Sequence, residues 1–520
     1  MTRSTPIVRS LVCSMCALAW LAGTRVDAQS RLLRTFQLDQ TASVLQSTLP
    51  SNSVTHIAVQ GSSVWIGTGK GLARSTDGGR HWESFAATPE FARPGIFAIA
   101  LSGGDTVWTS TGYSRDVDGQ SVQTGSGYTF SANNGAAWTS RPQTLDERGD
   151  SLVTYGNNIV KFLPIVVNEQ NVTFDLALSP GTVWIASWSS GLRRSTDNGA
   201  TWKRTVLPSK LLSSIAPTDT LVNYKIDPRQ DNNYLAFSVY AENADTIWTG
   251  TAGGINRSVD GGLSWSKFTR DSQREPILSD WVISIAGQHS GTRSRIWTTN
   301  WPAEGANQQY GVSASDDGGR TWKNFLHGIK AYDFAFRDSI TYVATEEGIF
   351  RTSDGGTRWE CSGSIVDQST GERITVNTFF AVATQGDTVF CGSSEGLVKT
   401  VDTPGGPFGQ RWEILRAFRP LETPSSTYAY PNPFSPKSET LRIHYSTGGS
   451  AAAVTIEVFD FGMNRIRTII KDAQRTGDRE HDEIWNGQTD GGQTLPNGVY
   501  FYRVSVSERD PVWAKIMVLQ

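Results

Sequence analysis

The sequence predicts an all-β protein, a seven-bladed β-propeller followed by a small β-sandwich, and three observations carry that prediction. An element of the form [ST]-x-[DN]-x-G-x-x-W recurs seven times, beginning at Ser75, Ser131, Ser195, Ser258, Ser315, Thr352 and Thr400, with about five extra residues in the last copy. Ahead of each copy stands an aromatic residue in a β-rich run: Trp65, Trp108, Trp184, Trp248, Trp297, Tyr342 and Phe390. From aromatic to Ser/Thr the distances are 10, 23, 11, 10, 18, 10 and 10 residues, a constant hairpin that grows in two copies. The composition agrees, with 51 Gly and 18 Trp in a chain that is 19% charged. Such a unit cannot bury both its faces alone, so the copies must stack, and four-stranded units around an axis make a propeller.

Taken in chain order, residues 1–28 read as a secretory signal: Arg3 and Arg9, an apolar run of about a dozen residues, then Val26-Asp27-Ala28. The run is too short to span a bilayer, and no later segment would stop the mature chain in a membrane. Residues 29–53 are a lead-in. Cys361 and Cys391 remain after signal removal; export permits a disulfide between them, and two buried thiols in neighbouring strands is the favoured reading. A formal charge of -3 offers no net basic character for nucleic acid.

The propeller occupies residues 54–418. In the first repeat VTHIAVQ, SVWIGT, GLARS and HWESF are the four strands; in the sixth, AYDFAF, TYVAT, GIFRT and RWECS follow in the same order. The stretch GTGKG before the first Asp-Gly element is not a phosphate loop, because Lys70 is followed by Gly71 where Ser or Thr is needed. Asp77 lacks the alternating oxygen ligands of a calcium loop. The element instead has turn chemistry: Ser and Asp satisfy their own backbone amides, Gly takes positive φ, and Trp folds back over the hairpin. No cofactor or metal motif is present.

The repeated element resembles the Asp-box, or BNR, repeat of sialidase-like propellers over nearly all of residues 54–412. That resemblance implies a structural role in the turn between third and fourth strands for Asp77, Trp82, Trp138, Asp197, Trp202, Asp260, Trp265, Asp317, Trp322, Asp354, Trp359 and Trp412. Residues 419–428, Pro/Ser/Thr-rich, form a linker. Residues 429–520 alternate as strands and carry YPNPF (430–434), Asp460-Phe461-Gly462, Trp485-Asn486-Gly487 and PNGVYF (496–501). They resemble the Ig-like domain of flagellar hook-capping proteins, which is similar to domains that address cargo to type IX secretion. That likeness implies a surface or secreted location and an outer-membrane export machine as partner.

Function is expected on the face opposite the Asp-boxes, where the two long hairpins open. The second repeat supplies Tyr113, Arg115, Asp116 and Asp118, the fifth Trp301, Glu304 and Tyr310, and the third Trp188. Of these, Tyr113, Arg115, Trp188, Trp301 and Tyr310 are the candidate binding residues for a glycan or protein ligand. The connections 139–172, 206–233 and 268–281 are expected on the same face. A sialidase of this family needs an Arg-Ile-Pro tripeptide before the first box, which is missing, and propeller endo-glucanases work in a cleft between two propellers, where this chain has one. The sequence reading is therefore a secreted non-catalytic binding propeller, more binder than enzyme. A propeller glycoside hydrolase, sialidase-like or endo-glucanase-like, is the alternative.

Overall fold

The structure is a computed structural model that describes residues 49–520, apart from 87, 92–94, 118–119, 292, 304–306, 370–372, 404, 418–420, 422, 424, 431, 438–440 and 478–479. The expected signal (1–28), most of the expected lead-in, Asp118, Glu304 and part of the expected linker (419–428) lie outside the described residues. Among the described residues no helix is long and apolar enough to cross a membrane.

The fold is all-β. The strands Val54–Gln60, Ser63–Thr68, Gly71–Ser75 and Glu83–Ser84 form an antiparallel sheet in sequence order, and the first three coincide with the expected ones. The fourth is shorter than HWESF. The same order recurs in sheets that begin with Gly95–Ser102, Thr173–Ser179, Ala236–Ala241, Trp281–Ser290, Ala331–Arg337 and Phe379–Gln385. Each of these first strands packs against the next, and Phe379–Gln385 packs back onto Val54–Gln60. The ring is sealed by Gln385 Nε2 donating to Gly61 O at 2.9 Å and by Ala417 N donating to Asn52 Oδ1 at 2.6 Å.

The repeated turns hold their own backbone. Ser75 Oγ accepts from Gly79 N at 2.8 Å, while Asp77 Oδ1 accepts from Arg80 N and His81 N, each at 3.0 Å. Ser195 with Asp197, Ser258 with Asp260, Ser315 with Asp317 and Thr352 with Asp354 repeat this, and Asn133 stands in for the acid beside Ser131. The Thr201 hydroxyl, followed by the Thr201 N–H and the Ser195 hydroxyl, holds Asp197 down at about 2. In the last copy Asp402 is buried, and it accepts from Tyr342 Oη, Arg351 and Arg337 instead of closing its own turn.

These turns also join neighbouring sheets. Arg194 Nη1 donates to Gly261 O at 2.5 Å, Arg257 Nη1 to Gly318 O at 3.2 Å, Arg295 Nη1 to Gly355 O at 3.2 Å and Lys399 Nζ to Gly78 O at 3.2 Å, each reaching into the turn of the following sheet. In four copies a turn glycine lies on the second-strand aromatic of the preceding sheet: a Cβ on Gly262, whose φ is +81°, would come within 2.5 Å of Trp184, and Gly79, Gly135 and Gly199 stand likewise against Phe390, Trp65 and Trp108. Gly319 and Gly356 meet the fourth-strand Phe268 and Phe325 of the preceding sheet instead. Those second-strand aromatics are fully buried; of the turn tryptophans, Trp82, Trp265, Trp322 and Trp412 are buried, but Trp138, Trp202 and Trp359 only partly.

Two connections depart from expectation. Leu152–Tyr155 and Asn158–Phe162 pair as a hairpin and with Lys225–Ile226 make a separate three-stranded sheet, while Ser214–Ile215 extends the sheet of Trp265–Phe268. Tyr155 Oη donates to Leu263 O at 2.7 Å, inside a box turn, so these segments reach the box end of the fold. Tyr155, Val160, Phe162, Ile215 and Ile226 need cover, and they find it in a shared core with Trp184 and Trp265. Beneath them Asp146, 6% exposed, pairs with Arg193 at 2.8 Å and Arg204 at 2.6 Å.

After residue 426 two sheets, of order Thr427–Tyr430/Leu441–Ser446/Glu480–Trp485 and Arg465–Arg475/Ala452–Phe459/Gly498–Val506/Val512–Val518, close over one core that includes Tyr445, Ile456, Trp485 and Tyr502. Both cysteines are free; Cys391 is buried as expected, but Cys361 is exposed.

Candidate functional site

The site grows from one recurring irregularity. In the first strand of every sheet of the ring the register against the second strand skips one residue: Thr55, Phe97, Phe174, Phe237, Ile283, Tyr332 or Phe380. A bulge places two residues opposite one and re-aims the extra side chain. All of the skipped residues line a single axial cavity of about 740 Å3. Gly69, Gly112, Tyr113 and Trp301 also line it, so it opens at the hairpin end of the sheets. The box turns are at the other end: in the first sheet Thr68 pairs with Gly71 and Val64 with Ser75, and in the fifth Asn300 pairs with Gly311 and Ile296 with Ser315.

Around the mouth the rings form two arcs. Phe97, Phe174 and Phe237 follow each other at 6.1 and 6.0 Å, and Phe237 continues to Trp188 at 5.0 Å and Trp281 at 5.7 Å. In the second arc Phe380, Tyr332, Trp301 and Tyr310 are spaced by 5.5, 5.6 and 6.2 Å, with Lys330 Nζ 3.9 Å from the Trp301 ring centroid. Trp301 Nε1 donates to Ala331 O at 2.9 Å, which fixes the indole against the sixth sheet. Of the five residues singled out in the sequence, Tyr113, Trp188, Trp301 and Tyr310 thus stand around one mouth. Arg115 does not: it is spent on Glu169 at 2.6 Å.

Three titratable side chains next to the bulges were not legible as functional. Asp175 Oδ2 accepts from Val239 N at 2.9 Å and Asp333 Oδ2 from Val382 N at 3.0 Å, each tying its sheet to the next. Both line the cavity. Burial pushes each carboxyl up to about 7, against the backbone hydrogen bonds, and the charge of Asp333 adds to the effect on Asp175. His56 also lines the cavity, and burial lowers it to about 4, so its imidazole is neutral at pH 7. A signal for the bulge series did exist. Aligning the seven first strands stacks Thr, Phe, Phe, Phe, Ile, Tyr and Phe at one position, with Asp following in two copies.

Ring, axial cavity and turn geometry together define a β-propeller, and solved propeller structures are similar to it. Niastella koreensis GH74 enzyme superposes with a TM-score of 0.51 at 12% identity, covering 91% of this chain and 74% of that one. An ancestral GH74 enzyme gives 0.49 at 14% identity over 90% and 63% of the two chains. By sequence, a probable oligoxyloglucan-reducing end-specific xyloglucanase from Neosartorya fischeri is 24% identical over 259 residues, 48% of this chain. The match spans about a quarter, 26%, of that relative's length. No known protein-family signature matches the chain.

The likeness by sequence corrects the reading of a non-catalytic propeller that is more binder than enzyme, because the curated relative is a probable xyloglucanase; the Niastella koreensis GH74 enzyme shares the fold. The single ring has a cavity of its own, and Asp175 and Asp333 line it from the positions that follow the bulges.

Proposed function

We propose that the chain is a glycoside hydrolase of xyloglucanase-like type that acts on a neutral glucan at the hairpin end of its ring. One observation carries this: two carboxyls, Asp175 and Asp333, share an aromatic-lined cavity, and burial pushes each up to about 7. Glycoside hydrolysis uses a protonated carboxyl to give its proton to the leaving glycosidic oxygen and an ionised one to attack the anomeric carbon or to activate water. Carboxyls near 7 supply both forms at neutral pH. Aromatic rings stack on the apolar faces of sugars. A sialidase-like reading is weaker, since among the described residues lining the cavity there is no Arg or Lys to hold a substrate carboxylate.

Around this centre we read the ring as a seven-bladed Asp-box propeller, residues 54–418, and the paired C-terminal sheets as an Ig-like sorting domain, 429–520, after a 419–428 linker. Residues 1–28 act as an export signal, and the outer-membrane secretion machinery is the partner of the C-terminal domain. Both signals favour a secreted or surface location.

The test is release of reducing ends from xyloglucan and from cello-oligosaccharides, with Asp175→Asn and Asp333→Asn. An amide oxygen still accepts from Val239 N or Val382 N, so folding is retained, while loss of an acid or base lowers the rate by about 10²–10⁴-fold. Cleavage of neither substrate class by the wild-type protein, or wild-type rates in both variants, overturns the proposal.

A further inference from the structure

Beside the axial cavity lies a second hollow of about 380 Å3, between Gln120–Gln123 of the long hairpin of the second sheet and the Trp188–Trp281 corner. The two hollows share Gln123, Phe174 and Phe237 as walls, so they adjoin. The floor of the second is aromatic: Trp188 lies 5.0 Å from Phe237 and 6.1 Å from Trp281, tilted by 43° and 69°, so the three rings present faces at different angles and not one flat stack. Its rim is amide. Gln120, Gln123 and Gln170 are exposed there, and none of the described residues that line the hollow is charged. Arg115, further down the hairpin, pairs with Glu169 at 2.6 Å.

Gln170 is held in place for this. Its backbone takes a positive φ of +54°, costly for a side chain other than glycine, and is pinned by Gln170 N donating to Gln123 O at 2.8 Å and by Ser189 Oγ donating to Gln170 O at 2.6 Å. Strain of this kind persists where the surroundings over-determine it, and here those surroundings are the rim of the hollow.

We infer that this hollow is a neutral-sugar subsite that extends the axial cavity, so that the ligand is an uncharged glycan chain long enough to lie on Phe174 and Phe237 and reach Trp188. This rests on the reading of the chain as glycan-acting. Aromatic faces take the C–H faces of pyranose rings, and side-chain amides both donate to and accept from hydroxyls. A site without charge has nothing to offset desolvation of a carboxylate, so uronic and sialic acids are excluded. A ligand confined to one ring would leave one hollow empty, so affinity must rise with chain length.

Calorimetry with cello-oligosaccharides of one to six units, with oligogalacturonate as the charged control, tests this on the full chain. Trp188→Ala and Gln170→Ala are the variants, with thermal melting to confirm folding; Trp188→Leu serves if the alanine variant does not fold. The expected result is that wild-type affinity grows with length, Trp188→Ala weakens the hexamer at least tenfold while leaving the dimer nearly unchanged, Gln170→Ala weakens the hexamer less, and oligogalacturonate does not bind. Hexamer binding as tight in folded Trp188 variants as in wild type, or galacturonate binding comparable to the glucan, overturns the subsite alone. If no neutral oligosaccharide of any length binds the wild type, the glycan-acting reading falls with it.

Discussion

Replacing Gly262 with alanine tests the contact that joins neighbouring sheets. Gly262 has φ +81°, and a Cβ there would approach Trp184 Cη2 to 2.5 Å, well inside contact distance. A left-handed conformation costs a non-glycine residue about 1–2 kcal/mol. Overpacking against a buried, closely fitted ring costs about 1–3 kcal/mol more. Trp184 is 1% exposed, wedged between two sheets, and has nowhere to move, so the two costs add to about 2–5 kcal/mol. Gly61 is the control. Its φ is +57°, but nothing lies within 4 Å of its Cβ position, so Gly61→Ala should lose only the backbone part, about 1–2 kcal/mol. Urea unfolding followed by tryptophan fluorescence reads both. The excess should shrink in a Trp184→Leu background, where the clashing ring atoms are gone. Equal losses at Gly262 and Gly61 would refute the idea that turn glycines are selected by the aromatic of the preceding sheet.

Trp82→Ala should lower stability by about 3–5 kcal/mol while sparing glycan binding, since Trp82 is 5% exposed and belongs to a box turn; loss of binding at wild-type stability would contradict the structural role of the boxes. Asp146→Ala strands two buried guanidiniums, Arg193 and Arg204, and should cost about 3–5 kcal/mol in the same unfolding assay. The pH response has a defined sign. Asp175 and Asp333, raised from 3.8 to about 7, keep protons in the folded state that the unfolded chain has released, so they cost progressively more stability as pH rises from about 4 to 7. His56, lowered from 6.5 to about 4, works the other way, costing stability as pH falls through that interval. Carrying Asp175→Asn and Asp333→Asn together should therefore raise the unfolding midpoint relative to wild type by an amount that grows from pH 5 to pH 7.5; a constant difference would show that these carboxyls titrate normally.

The repeat was legible because it is local. Ser75, Asp77 and Gly79 satisfy one another within five residues, so their spacing survives in the sequence, and strands such as Val54–Gln60 and Ser63–Thr68 could be placed to the residue. The aromatics Trp188, Trp301 and Tyr310 were visible too, because insertions and exposed rings stand out against a fixed period. What the sequence could not show depends on contacts between sheets. Tyr155 and Leu263 are 108 positions apart, and only closure of the ring turns the 152–162 segment into a hairpin at the box end. Asp175 and Asp333 look like any strand polar residue until bulges in separate sheets turn them toward one axial cavity, where burial shifts their titration. By itself the chain determined its turns and its period, since hydrogen bonds over a few residues set them. Only the closed ring decided which side chains meet across the axis, because convergence there is a property of how all the sheets pack and is written in no single repeat.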